Sequence, residues 1–165
     1  MKKTLFFLYC GLILLLARCD GQKTQQETST PSAAAEQSFA KKVPYKEAEN
    51  YYFRHDAQIP DNPKINTREE FESLFGMAAV MGKNGEPTSI DFDKQFVIAV
   101  VLPVTNKDVE LNDERLIDDG HSLIFEYSVD YDEDVLSFEM QPFLLIVVDR
   151  KYERDNVVLK EVLDD

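Results

Sequence analysis

His55 and His121 are the two histidines of the chain, and Cys10 and Cys19 its two cysteines. Nucleophilic catalysis needs a hydroxyl or thiol held against a base, most often an imidazole. His55 lies in Arg54-His55-Asp56 and His121 in Asp119-Gly120-His121-Ser122, a turn entering a strand, and neither has a G-x-S-x-G elbow beside it. Both read as solvated loop residues. They form no H-E-x-x-H zinc pair, and Gly82 and Gly85 lack the G-x-x-x-x-G-K-S/T spacing that cradles phosphate. No catalytic residue, cofactor or zinc site is expected, and the chain reads as a non-enzyme.

Carboxylates are abundant instead. The run Asp130-Tyr131-Asp132-Glu133-Asp134 offers alternating oxygens, so Asp130, Asp132 and Asp134 are the weak candidates for a cation. An EF-hand loop also requires Gly at position six and a bidentate Glu at position twelve. Those positions hold Val135 and Gln141, so the run reads as a charged hairpin tip that blunts edge pairing. Asp118-Asp119-Gly120 reads as a turn for the same reason. Residues 44–165 carry 28 acids, which supply any carboxylate pair that glycoside hydrolysis would want and therefore single out none.

Cys19 is the one position with a definite chemistry. Lys2 and Lys3 precede an apolar run from Leu5 to Ala17, the layout of a secretory signal. Those 13 residues are short of the roughly 20 that a membrane-spanning helix needs. Leu16-Ala17-Arg18-Cys19 resembles a bacterial lipobox, in which the thiol is diacylated before cleavage ahead of it. Arg18 departs from the small residue usual there. Residues 1–18 are thus expected to be a lipoprotein signal peptide and Cys19 the lipidation site. Acyl chains on Cys19 anchor stably, where a single chain binds only marginally. Both cysteines fall within the first 19 residues, so none remains for a disulfide in an oxidising compartment. The expected location is the cell envelope, lipid-anchored in the outer membrane and facing the periplasm or the surface.

The remainder of the chain divides into a tether and a domain. Residues 19–43 are rich in Gln, Thr, Ser and Ala and bury too little apolar surface to order themselves, so they read as the tether. Residues 44–165 form one domain of 122 residues, enough for a core without disulfides or metal. Without Lys2, Lys3 and Arg18 the chain holds 15 basic and 31 acidic residues, a net charge of −16. That balance excludes general nucleic-acid binding, which depends on Lys and Arg neutralising phosphates.

One helix is signalled at about 67–76. Thr67 and Glu70 make a capping box, Phe71, Leu74 and Phe75 share a face, and Gly76 is placed to end it. The apolar residues Met77 to Met81 continue it briefly or pack as a covering loop. Tyr51-Tyr52-Phe53 is a short strand. Phe96–Leu102 and Phe143–Val148 are unbroken apolar runs, strands covered on both faces. Asp108–Leu116 is a weaker acidic strand. Leu123–Val129 alternates, with Leu123, Phe125, Tyr127 and Val129 on one face. Val135–Met140 alternates again and Val157–Leu159 closes the domain. The fold class is α+β, mainly β: an antiparallel meander or small barrel with one packed helix.

Three segments also carry a family likeness: Thr67-Arg68-Glu69-Glu70-Phe71, Ile90-Asp91-Phe92-Asp93-Lys94-Gln95-Phe96-Val97-Ile98-Ala99-Val100, and Gln141-Pro142-Phe143-Leu144-Leu145-Ile146-Val147. Over about residues 65–150 the chain resembles the C-terminal domain of PrcB, the protease-complex stabilising protein, and short bacterial lipoproteins that carry this domain. A Gly-rich segment usual in the family after the second motif is replaced by Leu102-Pro103-Val104-Thr105. The resemblance implies a non-enzymatic domain that binds an exported protease. The expected function is therefore that of an exported lipoprotein whose acidic domain binds an envelope or secreted protein. The alternatives are a ligand-binding or hydrolytic domain in nutrient acquisition, and a protease inhibitor presenting Met81–Ser89 or Tyr131–Val135. A binding module should expose a strand edge or an apolar patch, an enzyme an apolar pocket with convergent polar groups.

Overall fold

The computed structural model describes residues 40–78, 81 and 85–163, apart from the side chains of Glu133 and Asp134. The signal segment, Cys19, the tether to Phe39 and part of the Met81–Ser89 loop lie outside the described residues. Ten strands and one α-helix are present among those described: β1 (Lys41–Val43), β2 (Lys46–Glu47), β3 (Tyr51–Phe53), β4 (Lys64–Ile65), α1 (Arg68–Leu74), β5 (Phe75–Met77), β6 (Gln95–Val101), β7 (Thr105–Asp118), β8 (Ser122–Met140), β9 (Phe143–Asp149) and β10 (Asn156–Glu161). The domain is mainly β with one helix, as the pattern predicts.

The strands form two four-stranded sheets, in the orders β1-β7-β8-β10 and β2-β9-β6-β4, with β3 and β5 paired apart. The sheets do not close into a barrel. They face one another across a core in which Phe96, Ile98 and Val100 of β6 and Leu144, Ile146 and Val148 of β9 meet Leu116, Leu123, Phe125 and Tyr127. The opposite face of β6 and β9 (Val97, Ala99, Leu145, Val147) packs on a second core of Phe53, Ile65, Phe71, Phe75 and Ile90. Two covered faces are what an unbroken apolar strand requires. Three layers result, and the second core is held by aromatic contacts: Phe71 stacks on Phe75 with centroids 5.2 Å apart, and Tyr51 meets Phe71 edge-on at 5.0 Å.

The connectivity is not a simple meander. β6 and β9 pair along their whole length, while β7 and β8 between them form a hairpin in the other sheet. β10 runs parallel to β8, with Asn156 opposite Ser122 and Glu161 opposite Tyr127. β1 lies on the tether side of the expected boundary at residue 44: it pairs with Leu116–Asp118 and buries Val43 completely. A single buried residue in a polar stretch leaves no hydrophobic period to read.

The helix starts as its sequence dictates. Thr67 Oγ1 accepts from Glu70 N at 3.1 Å, while the Glu70 carboxylate reaches back to the amide of Asn66 at 3.2 Å rather than to that of Thr67. It ends earlier than Gly76. Phe75 is already extended, and Phe75–Met77 becomes β5, which pairs with β3 in place of the predicted helical continuation. Gly76 serves a different purpose from a helix stop, because a Cβ there would sit 2.3 Å from Cζ of the Tyr52 ring.

Arg150 ties the layers together at one end. Its guanidinium donates to Phe92 O from Nε and Nη2, both at 3.0 Å, to Asn66 O at 2.6 Å and to Glu153 Oε2 at 2.9 Å. Lys64, buried at 7 % exposure, donates to Arg154 O at 2.7 Å beside Glu153.

Candidate functional site

The β7–β8 hairpin departs most from expectation. Its turn is Asp119–His121, where the Asp118-Asp119-Gly120 turn is expected, while the second tip expected at Asp130–Asp134 is absent. Gly120 takes φ 91°, where L side chains are strained. The Asp118 carboxylate accepts from Gly120 N at 2.9 Å, and that of Asp119 accepts from His121 N at 2.8 Å and Ser122 N at 2.7 Å. The bonds from Ser122 and His121 hold the Asp119 carboxyl below the usual aspartate range. Asp130–Asp134 instead runs inside β8, so the predicted hairpin tip is a stretch of strand.

Bulges shape this ribbon. Asp113 faces Tyr127 but Arg115 faces Glu126, so one extra residue, Glu114, reverses the inward phase of β7. Val109 is buried and Leu111 packs on the core before it; Leu116 is buried after it. Glu126, whose side chain is 5 % exposed, is gripped by Arg115 and by Lys160 Nζ at 2.8 Å, bonds that hold its carboxyl low. Nearer Met140 the surplus lies on β8: Val109 faces Tyr131 while Lys107 faces Val135. A step of two residues on one strand is matched by a step of four on the other.

Past these bulges the ribbon is open on both flanks among the described residues. Within them β1 covers β7 only at Leu116–Asp118, and β10 covers β8 only from Ser122 to Tyr127. Among the described residues no strand pairs with the outer side of Thr105–Arg115 or of Ser128–Met140. Tyr131, Val135 and Phe138 are all more than half exposed there, with Val104 beside them. Large exposed apolar side chains on an unpaired edge are what soluble proteins ordinarily avoid.

The same stretch also carries acids, and Tyr131 stands at their margin. Glu110 and Asp130 are cross-strand partners, and with Asp108, Tyr131 and Asp132 they line a shallow depression of about 370 Å³. Like charges directly opposite destabilise a ribbon. Asn112 Nδ2 donates to Asp130 Oδ2 at 3.0 Å, and among the described residues no Lys or Arg forms an ion pair with Asp108, Glu110 or Asp130. Of the three cation candidates, Asp130 and Asp132 share this depression, and the side chain of Asp134 lies outside the described residues. No three His, Cys, Asp or Glu side chains converge in metal-binding geometry among the described residues.

Other candidates are dispersed. His55 and His121 are exposed on separate loops. Tyr45 stands beside Asp113, and burial first, then its bond to that carboxylate, pushes its hydroxyl far above the usual tyrosine range. Glu47, exposed on β2, is likewise raised, by partial desolvation first and then by the charge of Asp113. A second depression, of about 410 Å³, is lined by Asn66, Phe92 and Arg150 among others; Arg150 spends its guanidinium on Phe92 O and Asn66 O, while Asn66 Oδ1 is buried with no partner among the described residues. The open ribbon is hidden from a reading of the sequence because its acids resemble a turn. The signal that could have found it is the alternation Val129-Asp130-Tyr131, which continues the period of β8 past Val129.

Fold and site together define a mainly β, acidic domain with an unpaired, partly apolar ribbon. No family model, curated protein or solved structure matches the chain. No helix among the described residues is long and apolar enough to cross a membrane.

Proposed function

We propose that the chain is an exported lipoprotein, anchored through Cys19, whose β-rich domain is a non-enzymatic module that binds an envelope or secreted protein along the β7–β8 ribbon. The observation that carries this reading is the open ribbon flank with Tyr131, Val135 and Phe138 exposed on it. Unpaired strand edges recruit partners by main-chain hydrogen bonding. The two larger depressions, by contrast, are shallow and lined largely by charged groups, and the apolar one among Tyr51, Phe71, Phe75, Ile90 and Phe92 holds only about 30 Å³. The likeness to the PrcB C-terminal domain favours an exported protease complex as the class of partner.

The test is photo-crosslinking in native membranes. The full chain, with Cys19 intact, carries a photoreactive residue in place of Tyr131, or in place of exposed His55 as a control. One stoichiometric protein adduct from position 131 and none from 55 supports the reading. Identical adducts from both positions, or none from 131, refutes it.

A further inference from the structure

Resting on that reading, we infer that the occupant of the ribbon is an extended segment alternating basic and apolar residues, added along the free edge of β8 from Ser128 onward. The register supplies the argument. β10 leaves this edge where Glu161 faces Tyr127 and Val162 N donates to Tyr127 O. Beyond it a new strand has main-chain partners waiting. Side chains alternate faces along a strand. Asp130, opposite Glu110, is on one face of the ribbon, whereas Val129 and Tyr131, opposite Leu111 and Val109, are on the other. Over Ser128–Tyr131, where the register is regular, an added strand therefore lays every second side chain beside carboxylates and the rest beside apolar groups. Lysine or arginine at the first set relieves the cross-strand repulsion of Glu110 and Asp130. Apolar residues at the second set cover Tyr131.

A second copy of this chain fits badly. The edge would meet its own acids, and the exported part carries a net charge of −16. Opposite charge also hastens encounter with a basic partner and suppresses wrong ones.

The probe is the peptide Lys-Val-Lys-Val-Lys-Val-Lys-Val, titrated by fluorescence anisotropy into the full lipidated chain in detergent. Glu-Val-Glu-Val-Glu-Val-Glu-Val and a Lys-Val peptide with N-methylated valines serve as comparisons. Binding of the first alone is expected. The paired substitutions Glu110→Gln and Asp130→Asn should weaken it about tenfold, and raising the salt should weaken it further. Circular dichroism of that variant checks that the ribbon is intact. Equal binding of the N-methylated peptide, or unchanged affinity of the neutralised variant, overturns the inference. So does a calcium titration that saturates the site and blocks the peptide, since the acids would then serve a cation. A cross-link at position 131 with no Lys-Val binding would leave the binding-module reading standing and remove only its basic partner.

Discussion

Replacing Arg150 with alanine should destabilise the domain by about 2.5 kcal/mol, taking about 1 kcal/mol net for each of two carbonyl acceptors and about 0.5 for a partly exposed ion pair. The acceptors are Phe92 O, Asn66 O and the carboxylate of Glu153, and the arginine side chain is 30 % exposed. The carbonyl contacts dominate because they join the loop before β6 to the approach to α1. Once the guanidinium is gone, only water can replace it there. Arg150→Lys places one compact ammonium where a planar fork served three acceptors, so it should recover less than half of the loss. Urea unfolding followed by circular dichroism reads both variants, with the slope unchanged if the change lies in the native state. A loss below about 1 kcal/mol for the alanine variant, or full recovery by lysine, would refute the claim that the fork organises this end of the fold.

Gly76→Ala should cost about 1 kcal/mol rather than several, because the group its Cβ meets is the half-exposed ring end of Tyr52, which can swing away; adding Tyr52→Ala should remove the cost in thermal unfolding. Glu126 is held low by Arg115 and then Lys160, so its stabilisation is complete above the ordinary glutamate range and is lost as pH falls through its folded value. Glu126→Gln should therefore cost about 1 kcal/mol at neutral pH, with the gap to the parent closing in acid denaturation curves. Glu47, raised by partial desolvation and Asp113, has the opposite sign: Glu47→Gln should gain on the parent as pH rises through the raised value, read as a difference in urea midpoints across that range. Cys19→Ala should move the protein from the membrane to the soluble fraction and lower its mass by the acyl chains; an unchanged mass in the membrane fraction would disprove the lipobox reading.

The legible parts of this fold are those where a local rule matches the final geometry. Thr67, Glu70 and the Phe71-Leu74-Phe75 face announce α1 because capping and period are local properties. Phe96–Val101 and Phe143–Val148 announce themselves by lacking polar interruptions, and the central residues of both strands are buried on both faces. β7 reads as weak because the bulge at Glu114 breaks the period of two: the inward set before it is out of phase with Leu116 and Asp118 after it. Turn chemistry alone points to two hairpin turns where the fold makes one. Asp119-Gly120 and Asp130–Asp134 are both rich in turn formers, but only the first contains a residue that reaches φ 91° without strain. The parallel pairing of β10 depends on long-range packing that no short window contains.

On the proposed reading, Glu110 and Asp130 give the ribbon two jobs with one set of charges. An edge carrying Tyr131, Val135 and Phe138 should pair with another copy of itself, and natural sheets prevent this with charge and with bulges. Both devices are present, yet they differ in what they exclude. A bulge spoils register for any incoming strand, but the bulges here bracket Val109–Asp113 and leave that stretch regularly paired with Tyr127–Tyr131. Charge repels only its own sign. Glu110 and Asp130 sit on the regular stretch, so the discrimination falls there to electrostatics, and a cationic strand meets the same edge without the penalty. On the proposed reading, the repulsion between these cross-strand acids is a cost borne by the free protein and relieved when a cationic strand is bound.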